Sequence, residues 1–187
     1  RERALWSIRP GGVHGDDLYG KIKSLEQEKI LSRAKSLMYL KSANPARAVE
    51  EMKIFLKTTQ NLKEFVIVGL NLPEGYYDDL NVLDIIVERY AEFKAKPIPP
   101  EYAGYPPDRA IVYPTLWKYI EAKEGVKLKL AMEIMKAKGV CGDDDIPRLD
   151  KKIQSHDVVT REAIIDFLDN QIENVSLNKD KVAPVLD

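Results

Sequence analysis

Apolar residues recur at intervals of three and four along most of the chain, which is the spacing of one face of an α-helix. The pattern is clearest in residues 112–140, which predict two amphipathic helices folded back on each other around Gly125. Pro114 fits the first turn of the first helix, where an amide hydrogen has no partner inside the helix. The apolar face of that helix consists of Leu116, Trp117 and Ile120.

The second helix of this central hairpin has an apolar stripe that covers more than half of its circumference. The stripe is formed by Leu128, Leu130, Ala131, Met132, Ile134, Met135 and Ala137. Its width indicates that the helix is contacted on two sides. Gly139 follows Lys136 and Lys138, and it is predicted to end the helix in the left-handed conformation, with the two cations at the negative end of the helix dipole.

The N-terminal half, residues 17–95, is predicted to hold four helices paired as antiparallel hairpins. Helical spacing is continuous over residues 17–40, which predicts one long first helix. Asn44 and Pro45 are typical of a cap followed by the first residue of a second helix. The last helix of this half is predicted over residues 77–95.

The third helix of this half is predicted to begin at Asn61, where the pattern resembles a capping box. Residues 65–68, Phe-Val-Ile-Val, are equally typical of a strand. No partner strand is predicted elsewhere in the chain, and we therefore predict a helix here.

A proline-rich segment separates the two helical halves. It contains Pro97, Pro99, Pro100, Pro106, Pro107 and Pro114. Prolines at this density interrupt an α-helix, so residues 96–113 are predicted to form an extended or polyproline-like strap held by Tyr102 and Tyr105. The alternative is a ligand for a proline-recognising partner, because Pro97 and Pro100 have the PxxP spacing.

The remaining segments complete the predicted organisation. Trp6 in the N-terminal arm either docks on the body or inserts into a partner subunit. The final helix is predicted to begin near Val158 and to fray by Asn174, followed by a loosely packed tail. The chain thus divides into an arm (1–16), a helical half (17–95), the strap (96–113), a second helical half (114–174) and the tail (175–187). The predicted fold class is all-α, one domain of about seven helices in stacked antiparallel hairpins, like a helical-repeat protein.

Composition narrows the classes of function. The chain has 187 residues with 44% apolar and 32% charged, which is typical of a folded globular protein. Its net charge is −1, whereas proteins that grip the nucleic-acid backbone usually carry a positive excess. Cys141 is the only cysteine, which favours a reducing compartment. The sequence has no apolar run of about 20 residues and no signal-peptide pattern, which favours an intracellular protein without a membrane span.

The sequence predicts no catalytic, cofactor-binding or metal site. His14 and His156 stand in different loops, without cysteines or carboxylates at the spacing of a zinc site. A calcium loop starting at Asp143 would need glycine and glutamate where Arg148 and Gln154 stand. Phosphate-loop and nucleophile-elbow motifs are missing. No small-molecule substrate is indicated, and we expect a protein that is not an enzyme.

The candidate contact residues are therefore aromatic and basic. The aromatic candidates are Trp6, Tyr102 and Tyr105. The basic candidates, all on the second helix of the central hairpin, are Lys127, Lys129, Lys136 and Lys138. These lysines suggest a surface that faces phosphate groups or a protein partner. A solvated face of mixed charge is the alternative, because Glu121, Glu124 and Glu133 interrupt the basic residues.

The central hairpin resembles one pentatricopeptide repeat, a helix-turn-helix unit of about 35 residues. The second helix of such repeats often ends in Met-Lys-x-Lys-Gly followed by Val or Ile, and residues 135–140 match that phrase. Residues 158–166 are similar to the opening of the first helix of such a repeat. Overall the resemblance covers about residues 112–145 and 158–168, and it implies stacked helical hairpins.

Departures from the family modify what the resemblance implies. In that family a polar residue early in the first helix contacts an RNA base, and Pro114 stands at this position. We therefore expect a non-catalytic scaffold or subunit of a larger protein or ribonucleoprotein assembly, with other protein subunits as partners. The alternative is an RNA-binding helical-repeat protein in RNA processing or translation. The resemblance implies a mitochondrial or other organellar matrix, with the cytoplasm as the alternative compartment.

Overall fold

A computed structural model describes residues 15–139, 141–173 and 179–186 of the chain. These residues contain ten α-helices, three short 3₁₀ helices and no β-strand, which confirms the all-α prediction. The α-helices are α1 (Gly15–Gln27), α2 (Arg33–Ala43), α3 (Pro45–Thr58), α4 (Leu62–Leu70), α5 (Leu80–Lys94), α6 (Tyr113–Ala122), α7 (Gly125–Lys138), α8 (Ile146–Ile153), α9 (Val158–Glu173) and α10 (Lys179–Leu186). The 3₁₀ helices are Pro100–Tyr102, Pro107–Ala110 and Asp143–Asp145.

The predicted long first helix over residues 17–40 is wrong, because the structure breaks it into α1 and α2. Lys29 adopts a left-handed conformation with φ of 55°. The Ser32 side chain then caps α2 by accepting a hydrogen bond from the backbone N–H of Lys35. The periodicity hid this break because no glycine or proline marks it. Splitting this helix also raises the number of helices above the predicted count of about seven.

Helix α4 is confirmed as a helix rather than a strand, and it lies at the centre of the N-terminal half. The Asn61 side chain accepts a hydrogen bond from the backbone N–H of Glu64 and so caps the helix. Phe65, Val66 and Val68 are at most 1% exposed, since α4 packs on α2, on α3 and on the strap. This explains why its sequence looks like a buried strand.

The strap is less extended than predicted, because two of its proline pairs start 3₁₀ helices. The second of these, Pro107–Ala110, packs on α4, α5 and α7 and therefore connects the two halves. Ala110 and Ile111 are buried. Gly69 on α4 permits this approach, since a Cβ atom there would lie 2.6 Å from the carbonyl oxygen of Ala110.

The central hairpin is confirmed as α6 and α7, and Gly139 ends α7 with φ of 60° as predicted. Gly125 also has a positive φ, and its N–H donates a hydrogen bond to the Thr160 hydroxyl, 2.7 Å away, at the start of α9. The C-terminal tail is better packed than predicted. It contains α10, where Val182 is fully buried against neighbouring α8 and α9. None of the described helices is both long and apolar enough to cross a bilayer.

The contact between α4 and the strap can be tested with Gly69→Ala. The added methyl group would push against backbone rather than a flexible side chain, so we expect a loss of about 1–3 kcal/mol in the free energy of unfolding. Urea denaturation followed by circular dichroism measures this loss. Gly20→Ala is the control, because Gly20 lies in α1 with no atom near its Cβ position, and it should stabilise by about 0.5–1 kcal/mol. Equal effects of the two substitutions would contradict the close approach.

Candidate functional site

The structure divides the four candidate lysines of α7 between two sides of the helix. Lys127 and Lys138 lie on the side that faces α5 and the strap. The Lys127 Nζ atom is 2.8 Å from Asp84 Oδ2, and the Lys138 Nζ atom is 3.9 Å from Asp108 Oδ2. Lys129 and Lys136 are exposed on the opposite side, next to α9. The four lysines therefore do not form one basic stripe.

Asp84 explains why Lys127 is held against α5. Its carboxylate accepts hydrogen bonds from the Tyr119 hydroxyl at 2.7 Å and from Lys123 at 3.1 Å, in addition to the Lys127 ion pair. Burial pushes the pKa of Asp84 up, but the hydrogen bonds from Lys127, Tyr119 and Lys123 outweigh burial and lower it overall. Burial and the neighbouring Asp84 raise the pKa of Tyr119. This cluster joins α5 to the central hairpin and is a structural element.

Lys138 is held in a similar way against the strap. Its side chain is 13% exposed and that of Asp108 is 15% exposed. Burial lowers the pKa of Lys138, while Asp108 acts in the opposite direction. Asp108 thus links Lys138 to the strap, which carries Tyr102 and Tyr105.

The two strap tyrosines do not join the lysines of α7 in one site. Both rings are partly buried against the core, as the predicted strap requires. The Lys63 Nζ atom lies 5.2 Å from the centre of the Tyr105 ring. Trp6, the third aromatic candidate, lies outside the described residues.

Helices α7 and α9 lie side by side and run in the same direction. Gly125 contacts Thr160 at the start of both helices, and further along both helices line a shallow depression. The depression is lined by Lys129, Met132, Glu133, Lys136, Ala163, Asp166 and Phe167. Its volume is about 30 Å³, the space of about two or three water molecules. It has no room for a metabolite.

The solvent-exposed side of this helix pair carries aliphatic and charged residues together, and we call it the α7–α9 face. Its aliphatic members are Val126, Val158 and Ile165, with exposed fractions of 65%, 53% and 38%. Its charged members are Lys129, Glu133, Lys136, Glu162, Asp166 and Asp169. Sequence analysis named Lys129 and Lys136 but no residue of the last helix as a candidate, and it therefore missed this face. The available signal was the spacing of seven residues between Val158 and Ile165, which places them on one side of α9.

Cys141 lies in the loop after α7, and its thiol is buried. Burial, together with Asp145 and Asp143, raises its pKa to about 12. The Asp145 carboxylate accepts hydrogen bonds from the Gly142 N–H and the Tyr113 hydroxyl. Within the described ranges, no group of three His, Cys, Asp or Glu side chains is placed to hold a metal ion. His156 is exposed in a loop, and His14 lies outside these ranges.

No family model, curated protein or solved structure matches this chain. The resemblance to pentatricopeptide repeats therefore stays a prediction, and function is inferred from the geometry of the chain itself.

The role of the Asp84 cluster can be tested with Asp84→Asn. Because the folded-state pKa of Asp84 is lowered, its contribution to stability is present above the ordinary carboxylate pKa and is lost as pH falls through the folded-state value. We expect the variant to lose about 1–2 kcal/mol of unfolding free energy at neutral pH. The difference from the unmodified chain should shrink as pH falls below about 4. Urea denaturation across a pH series measures both.

Glu88→Gln is the matched control for this substitution. Its carboxylate is 57% exposed and lies 3.7 Å from Lys127, so its loss should change the stability by less than about 0.5 kcal/mol. A pH-independent effect of Asp84→Asn would show that the charge of this carboxylate is not what stabilises the fold.

Proposed function

We propose that this protein is a non-catalytic helical scaffold, a subunit of a larger protein or ribonucleoprotein assembly. The observation that carries the proposal is the α7–α9 face. Three aliphatic side chains stand in solvent on two adjacent helices, whose other sides are fixed in the core. Exposed apolar side chains grouped on a rigid surface favour binding to another protein.

Contacts in the C-terminal half support a repeat-like stack of helical hairpins. Helix α6 packs on α7, α8 packs on α9, and α7 lies beside α9. Across the same stack, the Arg148 guanidinium of α8 lies 4.2 Å from the centre of the Trp117 ring of α6. Arg148 also pairs with Glu121 of α6 at 2.8 Å. Stacked hairpins of this kind present an extended surface for partners. An organellar compartment is part of the proposal and rests on the pentatricopeptide resemblance.

The scaffold proposal predicts that the native chain belongs to a larger complex that depends on the α7–α9 face. Val126→Asp with Ile165→Asp should move the tagged chain to a smaller apparent mass in native extract, because charges replace the exposed aliphatic contacts. Size-exclusion chromatography with light scattering measures the shift. Ile54→Asp is the control, since Ile54 is 62% exposed on α3 and should leave the complex intact. A chain that elutes alone before any substitution would contradict the proposal.

RNA binding is the second candidate function. It is favoured by Lys129 and Lys136, which are exposed and, within the described residues, form no ion pair within 4.0 Å. The neighbouring carboxylates of α9 act against it, because they repel phosphate groups. An RNA-binding assay across a salt series separates the candidates. Binding that weakens steeply with salt and is lost in Lys129→Ala with Lys136→Ala supports RNA contact, and no binding at low salt eliminates it.

A further inference from the structure

The α7–α9 face carries two rows of opposite charge. Lys129 and Lys136 form the basic row on α7, and Glu162 and Asp169 form the outer part of the acidic row on α9. All four side chains are exposed. Within the described part of the chain, none of them lies within 4.0 Å of an opposite charge. Glu133 stands between the two lysines, but its carboxylate is paired with Lys94 of α5 at 2.6 Å. The two lysines and the two carboxylates therefore remain accessible to an external partner.

The two rows have the same spacing. Seven residues separate the two lysines, and seven separate the two carboxylates, which is about 10.5 Å along each helix. A twofold axis that lies in this face and runs along the helices would bring α7 of one molecule against α9 of another in parallel orientation. Because Gly125 and Thr160 lie at the same level, this arrangement places Lys129 near Glu162 and Lys136 near Asp169. The twofold axis forms each of these pairs twice.

Aliphatic side chains complete the face around these pairs. Ile165 lies between the two carboxylates on the exposed side of α9. Val126 lies one turn before Lys129, and in the same arrangement it comes near the exposed Val158 at the start of α9. Both the charges and the exposed apolar groups thus have a counterpart on an identical surface.

We propose that the α7–α9 face binds a second copy of this chain as a twofold symmetric dimer. This inference rests on the proposed scaffold function, because it names the partner of the same surface. A partner with one uniformly charged helix would be attracted by one row of charges and repelled by the other. A nucleic acid would meet the three carboxylates of Glu162, Asp166 and Asp169. A second copy satisfies both rows at once.

Sedimentation velocity of the full chain tests the dimer, over a roughly hundredfold concentration range in the micromolar region. The experiment compares the unmodified chain with two charge-reversed variants. These are Lys129→Glu with Lys136→Glu, and Glu162→Lys with Asp169→Lys. We expect the unmodified chain to dimerise, more weakly at about 500 mM than at about 50 mM salt because exposed charges are screened. Each variant alone should bind itself roughly tenfold or more weakly, because four attractive pairs become repulsive.

Mixing the two variants gives the sharpest result. Their reversed charges are complementary, so an equimolar mixture should form a heterodimer at concentrations where each variant alone associates only weakly. Lys57→Glu with Lys151→Glu is the control, because it changes the net charge by the same amount at exposed positions on α3 and α8, and it should dimerise like the unmodified chain. Circular dichroism and thermal unfolding verify that every variant folds.

Three outcomes would overturn the inference. They are an unmodified chain that stays monomeric at low salt, variants that dimerise as well as the unmodified chain, and a mixture that does not associate. The scaffold proposal is tested separately. The chain could prove to be monomeric while Val126→Asp with Ile165→Asp still removes it from its native complex. In that case the scaffold function stands, and the α7–α9 face binds a different protein.

Discussion

Burial of α7 is the interaction on which the rest of the structure depends. Its apolar stripe is covered by α5, α6, α9 and the second 3₁₀ helix of the strap, and Leu128, Ile134 and Met135 have no exposed surface. Deleting buried side chains of this size commonly costs several kcal/mol each, so these contacts are a main source of cohesion between the two halves. Because the helix is covered on most sides, its remaining exposed side is held in a fixed position. That side contributes Val126 and the two free lysines to the proposed interface.

Ion pairs set the orientation of the helices that this burial brings together. Lys127 contacts Asp84 on α5, and Lys94 of α5 contacts Glu133 of α7 at 2.6 Å. The hydrogen bond from Lys94 lowers the pKa of Glu133. These pairs explain why a helix with four lysines, two of them exposed and without an ion pair within 4.0 Å, does not present a continuous basic surface. Lys127 and Lys138, which the sequence suggests as phosphate contacts, instead pair with Asp84 and Asp108 of the same chain. This favours protein binding over RNA binding.

Local signals in the sequence were sufficient to predict most helices and one hairpin. The Asn44 and Asn61 side chains each accept a hydrogen bond from a backbone N–H in the first turn of the helix that they cap. Gly139 has the left-handed conformation that is common at the end of a helix. The break at Lys29 was missed because a lysine, and not glycine, takes the left-handed position at the end of α1, where the N–H groups of Lys29 and Ile30 donate hydrogen bonds to the Glu26 and Leu25 carbonyls. The candidate site depended on packing instead. Nothing local indicates that Asp84 contacts Lys127 or that Ile165 faces solvent, since both depend on which helices become neighbours.

Amide hydrogen exchange of the full chain tests the central claim most directly, because exchange from a buried helix requires opening of the structure around it. The claim is that α7 is the fixed core helix of the molecule. We expect the amides of Ile134 and Met135 to be among the slowest to exchange and to exchange only through global unfolding, because both lie inside α7 and have no exposed surface. Exchange of these amides by local opening, at a free energy well below that of global unfolding, would contradict the account.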